Sequence, residues 1–329
     1  MLFLETLVVL SNNTELCINL KMLNIFQQTL SEPLNFSGKG LHTGKIANVK
    51  IYPGEENQGI IFKRVDLKKN NLIKANFSNV SSAKLCTTLE NKFGVQVSTV
   101  EHLLASLYIV GVDNALIEID NGEVPIMDGS AKDFLEIFKK IEIKKLNAKR
   151  KYLKIVDKVK LVDGQKTISV EPNETTFEVD FQLNYKNRII GNQKNCVNFQ
   201  YDDLTDIFES RTFCLYEDIE KIKKLGLAQG GSLKNAIVVK GDKILNDGGL
   251  RNTKEFVNHK ILDLAGDFLL SGYRVLGKVK CYQGGHELTN NFLRKLFKEK
   301  KSYKILQYKS IIISKKIGLN QSTKLAVNA

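Results

Sequence analysis

Apolar and polar residues alternate over residues 46–52 and again over 59–65, the period-2 pattern of half-buried strands, with Pro53-Gly54 between them. From Ser98 the period becomes helical. Val100, Leu103, Leu104 and Leu107 fall on one face, and Ser98-x-x-Glu101 fits a capping box that would start the helix. A strand over 114–120 and a turn at Pro125-Ile126-Met127-Asp128-Gly129-Ser130 follow. Ser130 is the expected N-cap of a helix ending near Lys140. The lysine-rich segment 144–151 reads as an exposed linker.

Beyond it the chain repeats the mixture. Residues 152–162, 167–170 and 176–183 read as strands, with Asp163-Gly164 as a hairpin signal. A short helix over 202–208, a helix near 218–225, a turn at Gln229-Gly230-Gly231-Ser232 and a strand over 236–239 come next. A long helix over 253–271, a strand over 274–282 and a last helix after Gly284-Gly285 follow, and from about Ser302 the chain is lysine-rich with an end expected to be poorly ordered. Strands interleaved with helices in both halves make this an α+β protein of two domains. We draw an N-terminal extension over 1–21, a first domain over 22–147, a second over 148–301 and a lysine-rich tail over 302–329.

The long helix carries the least ordinary pattern. His259, Asp263 and Asp267 stand at i, i+4 and i+8 among Ile261, Leu262, Leu264, Ala265 and Phe268. Helical pitch sets them in one stripe, neighbours roughly 5–6 Å apart at Cβ. Two carboxylates and an imidazole on an apolar helix are costly to bury unpaired, and a metal ion would remove the cost. Taken alone, His259-x3-Asp263 reads better as an ordinary i, i+4 pair, because short metal motifs recur by chance.

Composition narrows the choice. Hydrophobic content of 43% and charged content of 26% are those of a globular chain, and no segment is apolar for long enough to span a bilayer. Met1–Leu10 is apolar but short and interrupted by Glu5, so no signal peptide is read there. The net charge of +13 concentrates in 139–154 and 294–316, a linker and a tail. That argues for a solvated surface over a nucleic-acid footprint. Five scattered cysteines without CxxC spacing exclude a disulfide framework and a cysteine-rich zinc site, and fit the cytoplasm.

Only four histidines occur, His42, His102, His259 and His286, each in a motif bearing Gly, Glu or Asp. Three ligands drawn from His and Asp with an open position mark a catalytic zinc site, and the candidates are His102, His259 and Asp263. Glu101 stands beside the first as a base, His286 follows two glycines as an acid, and Thr212 offers a hydroxyl to an oxyanion. Ser37-Gly38-Lys39-Gly40-Leu41-His42-Thr43-Gly44 is a glycine-rich loop, compatible with phosphate contact or with a simple tight turn.

Six motifs in order, Gly38 to Gly44, Ser98 to Leu104, Pro125 to Ser130, Ser210-Arg211-Thr212-Phe213, Phe256 to Asp267, and Gly285-His286, resemble those of the UDP-3-O-acyl-N-acetylglucosamine deacetylases. These are the zinc amidases of lipid A biosynthesis in Gram-negative bacteria. The likeness runs from about residue 24 to 300. It implies two β-α-α-β sandwich domains with the metal in the cleft between them. Zn2+ would be held by His102, His259 and Asp263. Glu101 would act as base toward the attacking water, Thr212 would stabilise the oxyanion, and His286, kept protonated by Asp267, would protonate the leaving amine.

Lys260, Phe181 and Phe213 would meet the substrate, Lys260 at the nucleotide phosphates and Phe181 on the uracil. The segment of about 213–245 would line a passage for the acyl chain. Gln283 departs from relatives that carry a basic residue there, and His42 matches a position near the site without a role of its own. The implied partner is a UDP-linked acylated amino sugar, with no nucleic acid, no transmembrane segment and a monomeric chain. The competing readings are a metal-free nucleotide-sugar-binding relative and a basic nucleic-acid-binding protein.

Overall fold

A computed structural model describes residues 24–307. Its first part runs β1 (Phe26–Leu30), β2 (Leu34–Lys39), β3 (Ile46–Pro53), β4 (Ile60–Arg64), β5 (Leu72–Lys74), β6 (Val80–Ser82), β7 (Thr88–Glu90) and β8 (Gln96–Val97). Then come α1 (Glu101–Val110), β9 (Ala115–Ile119), α2 (Lys132–Phe138) and β10 (Ile143–Lys149). The second part runs β11 (Lys151–Ile155), β12 (Val159–Asp163), β13 (Lys166–Glu171), β14 (Phe177–Asn184), β15 (Asn192–Asn198), α3 (Thr205–Phe208), β16 (Phe213–Leu215) and α4 (Tyr216–Lys224). It ends with β17 (Ile237–Lys240), β18 (Lys243–Ile244), α5 (Glu255–Leu269), β19 (Arg274–Tyr282), α6 (His286–Lys298) and β20 (Tyr303–Gln307).

Two sheet-rich lobes result, as the α+β reading expects. In the first, a sheet of order β2-β3-β9-β4-β5 buries Ala47, Val49 and Ile51 of β3 and Ala115, Ile117 and Ile119 of β9, the inward positions of an alternating pattern. In the second, β19 is central, antiparallel to β13 and parallel to β11 and β14. Against it lies α6, whose Leu288, Phe292, Leu293 and Leu296 are buried while Lys298 faces outward.

The helices α1 and α5 pack against each other in the middle. Their closest approach is at Gly266, where a Cβ would stand 2.1 Å from the carbonyl oxygen of Glu101. Only glycine lets the backbones come this close. All of α1 from Glu101 to Tyr108 is buried, and so is nearly all of α5, so polar groups on either helix must find partners in the protein.

Four expectations change. The capping box does not form: Ser98 Oγ bonds the carbonyl of Gly122, no side chain caps α1, and Glu101 turns inward. Segment 144–151 is no linker. It is largely strand β10, paired with β1 and passing through buried Arg150 into β11, because its lysines point outward while its backbone is hydrogen-bonded. The stretch 152–162 is two strands, broken where Val156 and Asp157 donate to the carbonyl of Ser302. The stretch from Ser302 is not all tail: Tyr303–Gln307 form β20, antiparallel to β11. The N-terminal extension and the rest of the lysine-rich tail lie outside the described residues.

Candidate metal centre and active site

The ligand atoms offered by His102, His259 and Asp263 lie within 4.8 Å of one another, and all three residues are buried. His102 comes from the first turn of α1, the other two from α5. Asp263 Oδ1 is 3.3 Å from His102 Nε2 and 3.4 Å from His259 Nε2, and it has no hydrogen-bond partner. His259 Nδ1 lies 3.1 Å from the carbonyl oxygen of Ser210. That contact orients the ring and leaves Nε2 with its lone pair free. Burial, reinforced by His102 and Lys260, lowers the His259 pKa to about 3, so the ring is a neutral ligand. Burial alone would raise Asp263, yet His259, Lys260 and His286 hold it well below the usual carboxylate range. Two imidazoles and one carboxylate with an orphaned oxygen fit a divalent zinc ion.

Around this cluster stand the proton-handling groups. His286 Nε2 is 3.6 Å from Glu101 Oε1 and 3.8 Å from Asp263 Oδ2. Its Nδ1 is 2.8 Å from Asp267 Oδ2. Burial would depress the His286 pKa, but Asp267, Glu101 and Asp263 push it up to about 10. Burial raises the pKa of Glu101. Thr87 joins the two acids: its N–H donates to Glu101 Oε2 at 3.0 Å and its hydroxyl to Asp267 Oδ1 at 2.7 Å.

Lys260 Nζ lies 2.9 Å from Asp263 Oδ2 and 5.5 Å from the ring centroid of Phe213. Phe213 in turn sits edge-on to His259, with centroids 6.2 Å apart. Thr212 and Phe213 line an apolar cavity of about 340 Å³, together with His42, Ile219 and Ile222 of α4, and Val238. Phe181 is not among the residues that line this cavity; it is 2% exposed, between Val179 and Leu183 on β14. Gln283 is engaged with the end of β14: its Oε1 accepts from the N–H of Asn184 at 3.0 Å, and its Nε2 donates to the carbonyl of the same residue.

Comparison with known proteins gives the same reading. The family model for UDP-3-O-acyl N-acetylglycosamine deacetylase matches residues 27–298, a span that includes most of both lobes and the residues His102, His259 and Asp263. The chain belongs to this deacetylase family. A relative named UDP-3-O-acyl-N-acetylglucosamine deacetylase from Geobacter sp. (strain M21) is 40% identical over 285 residues, 86% of this chain and 93% of the relative. Proteins of the same name from Shewanella violacea and Pseudoalteromonas translucida are 36% and 38% identical, covering 87% and 83% of this chain and 94% and 90% of their own lengths. With the His-His-Asp cluster in place, the protein is a zinc-dependent amidohydrolase of that family.

Several residues that build the deacetylase site escaped the sequence reading. Thr87 lies in an unremarkable stretch, and nothing local marks it. Glu123 is 1% exposed, yet it accepts from the N–H groups of His42 and Thr43, each at 2.7 Å, and from Thr99 Oγ1 at 3.0 Å. It thereby ties the loop of His42 to the entry of α1. Arg211 and fully buried Glu255 form a 2.8 Å pair that fastens the Ser210–Phe213 motif to the start of α5. The Pro125–Ser130 motif fastens elsewhere: Asp128 meets Arg251 at 2.8 Å, and the Gly129 carbonyl accepts from the N–H of Thr212 at 2.7 Å. A charge inside the Ser-Arg-Thr-Phe motif was the one available hint, since buried arginine demands a carboxylate.

Proposed function

We propose that this chain hydrolyses the N-acetyl amide of UDP-3-O-(3-hydroxyacyl)-N-acetylglucosamine to UDP-3-O-acyl-glucosamine and acetate, the committed step of lipid A biosynthesis. The observation that carries the reading is the orphaned Asp263 Oδ1 between two imidazole nitrogens, with Glu101 and His286 facing each other beside it at 3.6 Å. Zinc, when bound there, supplies a Lewis acid that polarises the amide carbonyl and acidifies water. Glu101, whose raised pKa makes it an effective base, takes the proton of the attacking water. The Thr212 hydroxyl donates to the developing oxyanion. His286, held protonated by Asp267, delivers its proton to the nitrogen as the C–N bond breaks. Lys260, whose pKa is raised by Asp263 against the effect of burial, remains cationic and faces the nucleotide phosphates, with Phe213 beneath it.

We assign the two lobes to 22–147 and 148–301, with residues of about 213–245 forming the wall of the acyl passage. The enzyme acts as a monomer in the cytoplasm. No helix among the described residues is long and apolar enough to cross a membrane, in keeping with a diffusing UDP-sugar as substrate. The test is zinc content of the purified protein together with acetate release from the UDP-sugar. About one zinc per chain with release supports the assignment. Salt-sensitive DNA binding without metal, or nucleotide-sugar binding without turnover, overturns it.

A further inference from the structure

His42 is left without a task by the mechanism above, yet it is built into the site with care. Its side chain is 6% exposed, and its Nε2 has no hydrogen-bond partner. Nδ1 accepts a long bond, 3.4 Å, from the N–H of Ala228. With Nδ1 the acceptor, the neutral ring carries its proton on Nε2. Burial, reinforced by His286, keeps His42 below the ordinary histidine range despite the nearby carboxylate of Glu123, so the neutral form is the resident one. A buried N–H with nothing to donate to is a deficit that folded proteins rarely carry without a reason.

The loop that presents this ring is held in place. Glu123 accepts from the backbone N–H groups of His42 and Thr43. Gly40 is needed for that approach, because a Cβ there would lie 2.3 Å from Glu123 Oε2. The ring forms part of the wall of the cavity lined by Thr212, Phe213, Ile219 and Val238. Phe213 of the same wall lies edge-on to the ring of His259, which sets this cavity beside the metal site. A preset donor therefore stands where an otherwise apolar cavity meets the reaction centre.

We propose that His42 contacts the substrate, its Nε2–H donating to an oxygen at the head of the acyl arm as that arm leaves the metal site for the apolar cavity. The acceptor is the ester carbonyl or the 3-hydroxyl of the chain; both offer a lone pair a few bonds from the sugar. The inference rests on the proposed substrate and adds to it the residue that reads the arm's polar end. An arm that lacks the accepting oxygen would leave the N–H unpaired, so this contact discriminates among arms of equal length.

Two conservative variants test it. His42→Gln carries an amide N–H near the position of Nε2, whereas His42→Asn carries one near Nδ1 and falls short. Their kcat/KM values are compared, at equal zinc content, on the 3-hydroxyacyl ester, on the ester lacking the hydroxyl, and on the 3-O-alkyl ether that keeps the hydroxyl but lacks the carbonyl. On the hydroxyacyl ester, His42→Asn is expected to fall about tenfold below His42→Gln, the size of one lost hydrogen bond. The gap closes on whichever analogue lacks the accepting oxygen, which identifies it. An Asn variant as active as the Gln variant on the parent substrate, or a gap of one size on all three substrates, overturns the proposal. Wild-type turnover on the parent substrate separates the two ideas. Without turnover the proposed function falls, and with it a missing gap removes only the role of His42.

Discussion

The two ends of α1 are both packed with buried charge, and they are built by opposite rules. At the C-terminal end, Arg274 donates to the carbonyls of Tyr108, Leu107 and Val112, and Arg150 donates to the carbonyl of Gly111. Asp113 lies against both arginines, 2.6 Å from Arg150 and 3.5 Å from Arg274. Cations meet the partial negative charge of a helix end, adding donors to carbonyls of its last turn and of the residues just beyond it. Among the described residues, the Tyr108 hydroxyl is the one buried side-chain atom there left without a partner. At the N-terminal end, Asp263 Oδ1, His102 Nδ1 and His42 Nε2 all lack partners, and Glu101 and His286 face each other at 3.6 Å. A structural cluster closes its valences internally. The catalytic cluster leaves them open toward one region, because metal and substrate are the partners it was built to receive.

Mutations at the open end should cost activity, and those at the closed end should cost stability. The largest effect is expected for His259→Ala, which removes a ligand: zinc falls from about one per chain to near zero, with nearly all turnover, as metal analysis and acetate release would show. Next comes Glu101→Ala, which keeps zinc and loses about 10²–10⁴ in kcat, the usual worth of a positioned base. Retention of wild-type kcat in that variant would refute the role. His286→Ala should lose about 10²-fold and change the pH profile. The acid must be protonated, so wild-type rate declines as pH rises through the raised His286 pKa; that alkaline limb disappears in the variant. A bound zinc ion opposes the charge of His286, so in the loaded enzyme the limb lies below the value of about 10 set by the carboxylates alone.

The smallest effect on activity belongs to the closed end. Arg274→Ala takes a donor from three carbonyls and weakens the hold on Asp113, and should lower unfolding stability by about 3 kcal/mol. Zinc content and kcat should stay close to wild type. A denaturant melt paired with metal analysis checks this. Loss of zinc at unchanged stability would show that the two ends are not separable in this way.

Much of the site was legible because its spacing is local. His259, Asp263 and Asp267 share a stripe in any helix, and the family likeness named two of them ligands and the third the partner of an acid. The division of that stripe held as well: Asp263 stands with the imidazoles of His102 and His259, and Asp267 bonds His286. Local pattern also placed Phe181. Alternation on β14 sets Val179, Phe181 and Leu183 inward, and inward they are. Local pattern failed at Ser98-x-x-Glu101, where a valid capping signal described a carboxylate needed elsewhere, and at segment 144–151, where lysines masked a paired strand.

Periodicity, turn signals and side-chain chemistry are properties of the chain alone, so the sequence determined the elements, the α+β class and the identity of the ligands. Convergence is not such a property. That Glu101 and His102 reach α5 depends on two helices crossing at Gly266, with no side chain between them. That Thr87 bridges two acids and Glu123 sets His42 depends on loops arriving from distant strands. Burial then turns those meetings into shifted pKa values and unpaired atoms, because removal from water makes each missing partner count.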